Sequence, residues 1–207
     1  MLHQTLLLKY PIISDQIKKP ALAVVLSELE TVIAAGTPGD IVEFGCYIGT
    51  TSLFIRRLLN SYATPNTRQF HAYDSFEGLP TKSYQDSSAA GVDFKAGELH
   101  VSKKQFLHEF QKAKLSAPIV HKGWFAKLSV NDVPDQIAFA FLDGDFYESV
   151  IDSLRLVWPR LASKGTIVID DYQRETLPGV EQAISDFFQS KSITLRQAHN
   201  IAIITRD

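Results

Sequence analysis

Short apolar runs at residues 40–44, 70–73, 118–121, 137–142 and 166–169 alternate with longer stretches of helical periodicity. This alternation constrains the fold more than any other feature. Leu22, Val25, Leu26, Leu29, Val32 and Ile33 recur at helical spacing between Ala21 and Gly36, where a glycine suits a left-handed cap. Helical stretches follow at 51–62, at 102–115 with Phe106, Leu107 and Phe110, at 147–161 with Val150, Ile151, Leu154, Val157, Trp158 and Leu161, and at 179–189. Strands separated by helices form a parallel sheet with right-handed crossovers, and near-continuous apolar strands fit burial on both faces. Two further runs, 193–197 and 201–205, are parted only by Ala198-His199-Asn200, too little for a helical crossover. They are expected to form an antiparallel hairpin at one end of the sheet.

At 207 residues and 45% hydrophobic the chain is long and apolar enough for one core. A single domain over 1–207 is expected, with a helical N-terminal segment at 1–36 and a long irregular insert at 76–101. With 21 bases against 23 acids, and no basic block longer than Lys103-Lys104 or Arg56-Arg57, neither nucleic acid nor an anionic membrane is an expected partner. The lone Cys46 can form no internal disulfide, and no stretch reaches the roughly 20 apolar residues of a membrane span. A cytoplasmic setting is the expectation.

Parallel sheets bind ligands at the carboxyl ends of their strands, and here those ends are acidic. The first strand carries Glu43 and runs into Gly45-Cys46-Tyr47-Ile48-Gly49-Thr50-Thr51-Ser52; the second ends in Asp74, the fourth in Asp143-Gly144-Asp145, the fifth in Asp170-Asp171. The two glycines allow a tight turn and close ligand approach, and the hydroxyl-rich helix start that follows offers free N–H groups to an anion. The string matches neither the dinucleotide fingerprint nor a phosphate-binding P-loop. Asp74 has the position and the acceptors to bind a ribose diol. Asp143, Asp170 and Asp171 at adjacent strand ends would repel one another unless a hard divalent cation bridged them. Capping of a local turn by an Asp is the plainer alternative for either half of the Asp-Asp pair.

Five strings in order, GTPGDIVEFGCYIGTTSLF (36–54), AYDSFEGLP (72–80), HKGWF (121–125), AFLDGDFYESVIDSL (140–154) and IVIDDYQRETLPGVEQAISDFF (167–188), resemble class I S-adenosylmethionine-dependent methyltransferases, and most specifically the macrocin O-methyltransferase (TylF) family. The resemblance implies an α/β, Rossmann-like, seven-stranded and mostly parallel sheet of order 3-2-1-4-5-7-6, with helices on both faces and the last strand pair antiparallel. It implies S-adenosylmethionine held by Glu43, Gly45, Cys46, Tyr47, Gly49, Thr51 and Ser52 around the methionine part, by Asp74, Ser75 and Phe76 at the ribose, by Gly123, Trp124 and Phe125 near the adenine, and by Asp143. It implies Mg²⁺, or another divalent cation, on Asp143, Asp170 and Asp171. Asp143 is the expected proton acceptor, ahead of Asp145, and the expected partner is a small-molecule hydroxyl acceptor, with a homo-oligomer allowed. Phe146 stands where catechol-type relatives carry a lysine, which favours a sugar-type diol over a catechol. Residues 78–97, with Tyr84, Asp86, Asp93 and Phe94, are the candidate lid over the acceptor.

Two rival readings stand beside this one. Asp143-Gly144-Asp145 also fits the Asp-x-Asp of a metal-dependent nucleotide-sugar glycosyltransferase, although that chemistry has no evident use for Asp170-Asp171 or for the first turn. A non-catalytic cofactor-binding domain is the other, and an idle site has little reason to keep like charges together.

Overall fold

The computed structural model describes residues 1–62, 68–91 and 94–207. Helices α1 (Leu2–Lys9) and α2 (Lys19–Ala34) precede β1 (Asp40–Phe44), α3 (Thr50–Asn60) and β2 (Phe70–Asp74). The chain continues through α4 (Lys103–Ala113), β3 (Ile119–Lys122), β4 (Ile137–Leu142), α5 (Tyr147–Val157), β5 (Leu161–Ile169) and α6 (Pro178–Phe188), then closes with β6 (Thr194–Ala198) and β7 (Ile201–Thr205). The sheet order is β3-β2-β1-β4-β5-β7-β6, with β7 antiparallel to both of its neighbours, as the resemblance implied. Among the described residues no helix is long and apolar enough to cross a membrane.

Strand alternation sorts side chains onto two faces. Val42, Phe44, Tyr73, Leu142, Ile167 and Ile169 pack with Val150 and Leu154 of α5 and Val180 and Ile184 of α6. Ile41, Phe70, Phe139, Phe141 and Val168 pack with α2 and α3. Leu22, Val25, Leu26 and Leu29 of α2 are each fully buried, and such side chains contribute about 1.5–3 kcal/mol apiece. Gly36, at φ +67°, follows this helix; its N–H reaches the Ile33 carbonyl, and that of Thr37 reaches Val32, the paired bonds of a Schellman cap.

One boundary differs from the sequence expectation. Apolar spacing carries the helical face from Tyr147 to Leu161, with Pro159 and Gly165 expected at its exit, but α5 stops at Val157 and β5 begins at Leu161. Pro159 lies in the intervening single turn and cannot donate to a continuing helix.

Candidate functional site

Four of the five parallel strands release the chain through an unusual backbone geometry. Gly45 after β1, Phe76 after β2, Asp145 after β4 and Asp171 after β5 all have positive φ, at +84°, +53°, +58° and +56°. Three of the four are not glycine, and non-glycine residues in this region concentrate at functional sites. Gly45 has a further constraint: a Cβ there would overlap the backbone carbonyl oxygen of Asp143 and lie 2.8 Å from its carbon. Only a residue without a side chain lets β1 and β4 exit this close together.

Asp74 braces that exit. One of its carboxylate oxygens accepts the N–H groups of Cys46 and Tyr47 at 2.9 and 3.0 Å, and the other accepts the N–H of Phe76 at 2.7 Å. Sequence reasoning gave Asp74 a ligand-binding place; it also staples the β1 turn to the end of β2. Glu43 is 1% exposed, and one oxygen accepts the Ser52 hydroxyl. Its other oxygen, Oε1, is buried with no hydrogen-bond partner. Burial, assisted by the charge of Asp74, pushes the Glu43 carboxyl up to about 8 against the opposing Ser52 hydrogen bond. An unpaired buried acceptor of this kind fits a positively charged donor supplied by a ligand.

The expected cofactor residues other than Glu43 fall into four groups. Gly45, Asp74, Ser75, Gly123, Trp124, Phe125 and Asp143 line one cavity of about 560 Å³, and Phe125 is held edge-on to Phe44 at 5.2 Å. Tyr47 faces an adjoining cavity. Cys46 and Phe76 instead pack with Leu53, Phe106 and Phe110, and burial raises the Cys46 thiol well above its ordinary value, so this cysteine is a packing residue. Gly49, Thr51 and Ser52 form the start of α3, with both hydroxyl residues buried.

The adjoining cavity lies over the acids. One carboxylate oxygen from each of Asp143, Asp145 and Asp171 falls within 4.8 Å of the others. Asp170 stands outside this set, and its Oδ1 accepts the Asp171 N–H at 2.9 Å. This cluster differs by one member from the trio expected from the sequence, with Asp145 in place of Asp170. Burial first, and neighbouring carboxylates second, push Asp143 and Asp145 well above the usual carboxylate range, while burial and then Asp171 bring Asp170 to about 7. Three hard oxygen donors at this spacing fit a divalent cation. Arg174 supplies a partial counter-charge, its guanidinium 2.7 Å from Asp171.

Residues the sequence reading did not single out complete the walls. Glu148 and Ser149 enter the first from α5, and Gln16 and Arg174 enter the second, while Gly78 and Leu79, at the start of the expected lid, line both cavities. Asp86 anchors the insert. Its Oδ1 accepts the Tyr147 N–H at the start of α5 (2.7 Å), and its Oδ2 accepts the N–H and hydroxyl of Ser83 (2.8 and 2.7 Å). Phe94 faces the second cavity, whereas Tyr84 is 91% exposed and touches neither. Asp93 lies outside the described residues.

Residues 16–204 match the model of the macrocin-O-methyltransferase (TylF) family. Over 165 residues the chain is 34% identical to the 8-demethyl-8-(2,3-dimethoxy-alpha-L-rhamnosyl)-tetracenomycin-C 4'-O-methyltransferase of Streptomyces olivaceus, covering 77% of this chain and 61% of that protein. It is 27% identical to the demethyldecarbamoylnovobiocin O-methyltransferase of Streptomyces niveus, covering 77% and 62%. The chain therefore spans about three-fifths of the length of these curated relatives. Among solved structures, the O-methyltransferase NovP superposes with a TM-score of 0.79 at 24% identity, over 89% of this chain and 78% of that one. The calicheamicin methyltransferase CalS11 gives 0.74 at 20% identity, over 99% and 90%. These likenesses carry the fold, and the match across residues 16–204 carries the assignment: the chain belongs to the macrocin-O-methyltransferase (TylF) family.

Proposed function

We propose that this chain is an O-methyltransferase that moves a methyl group from S-adenosylmethionine to one hydroxyl of a vicinal diol, on a sugar, with the help of Mg²⁺ or a similar cation. The observation that carries this reading is the placement of Asp143, Asp145 and Asp171 over one cavity while Asp143 also faces the cavity of Gly45, Asp74 and Trp124. S-adenosylmethionine supplies a methyl already activated by its sulfonium charge, and a divalent cation supplies the charge that lowers a hydroxyl pKa.

The protein's own part is placement and proton management. Asp74 and Ser75 hold the ribose side, Trp124 and Phe125 the adenine side, and the unpaired Oε1 of Glu43 offers an acceptor to the methionine amino group. Asp143, Asp145 and Asp171 hold the cation, and Asp170 stands behind them as a source of negative charge, a revision of the ligand set that the sequence suggested. Asp143 alone among the three faces both cavities, which favours it as the proton acceptor. In the reaction the acceptor oxygen forms a bond to the methyl carbon, the carbon–sulfur bond breaks, and the hydroxyl proton passes to the Asp143 carboxylate. Alignment of oxygen, methyl and sulfur is the main contribution asked of the roof and walls.

The test is a thermal-shift titration with S-adenosylhomocysteine, UDP-glucose and Mg²⁺, paired with methyl transfer to methyl α-rhamnoside. Stabilisation by S-adenosylhomocysteine and product formation are expected. Stabilisation by UDP-glucose alone would replace this reading with glycosyl transfer. Full transfer by Asp143→Ala and Asp171→Ala in excess chelator would remove the cation from the mechanism.

A further inference from the structure

The cavity over the acids does not end at Arg174. Gln16, Phe94, Asp171 and Arg174 also line a second, outer cavity, which runs on between the segment before α2 and the β6–β7 turn. The outer cavity measures about 1200 Å³, against about 530 Å³ over the acidic trio. An acceptor whose hydroxyls reach the trio therefore has most of its available space beyond Arg174. At the junction the guanidinium is held at 2.7 Å by Asp171 and lies 5.8 Å from the centre of the Phe94 ring, so the passage has a fixed, flat wall.

The outer wall limits what can lie there. Asp15, Asp170 and Asp171 are set against Lys18 and Arg174, so a diphosphate entering the cavity meets more carboxylates than cations. A large apolar aglycone would need an apolar wall, and here it finds Ile17, Pro20, Ala21 and Phe94 interspersed with charged and amide groups. Gln16 and Asn200 both donate and accept, Lys18 donates and Asp15 accepts, which is the mixed lining that the hydroxyls of a neutral polyol can satisfy.

We propose that the outer cavity is a second acceptor subsite that takes a neutral, hydroxyl-rich group: a further sugar ring, glycosidically linked to the ring whose diol lies over Asp143, Asp145 and Asp171. The inference rests on the sugar-methylation reading and adds what is attached to the methylated ring.

Calorimetric titration of the protein, loaded with S-adenosylhomocysteine and Mg²⁺, separates the two. The probes are methyl α-rhamnoside, the corresponding methyl rhamnosyl-rhamnoside and TDP-rhamnose. The disaccharide is expected to bind about tenfold or more tighter than the monosaccharide, a step that corresponds to one added ring with a few satisfied hydrogen bonds. Asn200→Ala and Lys18→Met should each remove most of that gain while leaving the monosaccharide and S-adenosylhomocysteine affinities unchanged. Equal affinity for mono- and disaccharide, tightest binding of TDP-rhamnose, or variants that weaken both sugars alike would each overturn the subsite. Binding of S-adenosylhomocysteine with no sugar bound at all would overturn the sugar reading itself.

Discussion

Substituting alanine at Gly45 and at Gly36 isolates the cost of bringing β1 and β4 together at their exits. Both glycines have positive φ, at +84° and +67°, so each pays the left-handed penalty of about 1 kcal/mol for a Cβ, partly offset by a stiffer unfolded chain. They differ in space. Nothing lies within 4 Å of a Cβ on Gly36, whereas one on Gly45 overlaps the Asp143 carbonyl oxygen. Relief at Gly45 must move backbone that is tied on both sides, by Asp143 N–H to the Phe44 carbonyl at 2.8 Å and by Gly45 N–H to the Tyr73 carbonyl at 2.9 Å. Overpacking of this kind costs about 1–3 kcal/mol, and a hydrogen bond given up costs about 1 kcal/mol more. Gly45→Ala should therefore lose about 4 kcal/mol and Gly36→Ala about 1 kcal/mol. In a domain of this size each kcal/mol moves the melting temperature by roughly 2–4 °C, so the two variants should melt about 9 °C apart. Melting curves by circular dichroism at pH 7 read this directly, with S-adenosylhomocysteine binding as a second measure that Gly36→Ala keeps and Gly45→Ala loses. Melting temperatures within about 3 °C of each other, outside what this size scaling allows for such a difference, would refute the close-approach account of Gly45.

Glu43→Gln tests the buried carboxyl. Because burial pushes Glu43 up to about 8 in the folded state, above its ordinary value of 4.5, its contribution to stability is full at low pH and fades as pH rises between these values. The glutamine variant should gain on the parent from pH 5 to 8, by no more than about 5 kcal/mol, then run parallel above pH 8; a gap independent of pH refutes the assignment. Divalent cation should stabilise the protein more at pH 8 than at pH 5.5, since Asp143, Asp145 and Asp170 all have raised values and become repelling charges as pH rises. At about a hundredfold excess over the dissociation constant the gain is about 2.7 kcal/mol, and an equal thermal shift in Asp171→Asn would place the cation elsewhere. Asp86→Ala removes one hydrogen bond that joins the insert to α5 and two within the insert, and should cost about 2–4 kcal/mol. Faster proteolytic cleavage within 78–97 is expected, and an unchanged cleavage rate would show that Asp86 does not anchor the insert.

Local pattern sufficed for the strands and helices, since short continuous apolar runs mark strands buried on both faces and spacing of 3.6 reports which side of a helix meets the core. It failed at Leu161, where helical spacing continued by coincidence across Pro159 into β5. The acids at strand ends could be placed at one rim because parallel topology forces them there. Which carboxylates converge is set by local geometry that spacing does not report: Asp145 joins Asp143 and Asp171, while one Asp170 oxygen accepts the next N–H. The Asp-x-Asp spacing was the available signal for Asp145. Glu148 and Arg174 reach the cavities from distant segments, and no pattern within those segments announces it.

The position of β7 has a consequence for how the chain acquires its structure. β5 pairs with β4 on one side, but its other edge is filled only by residues 202–205, more than thirty residues later in the chain. During synthesis Ile167, Val168 and Ile169 form an open apolar edge, the kind that pairs with neighbouring chains when left uncovered. Because β6 pairs with β7 alone, it cannot cover β5 in advance. The sheet is completed from the inside by a strand made after its outer neighbour, and aggregation of nascent chains is the hazard that this order of assembly carries.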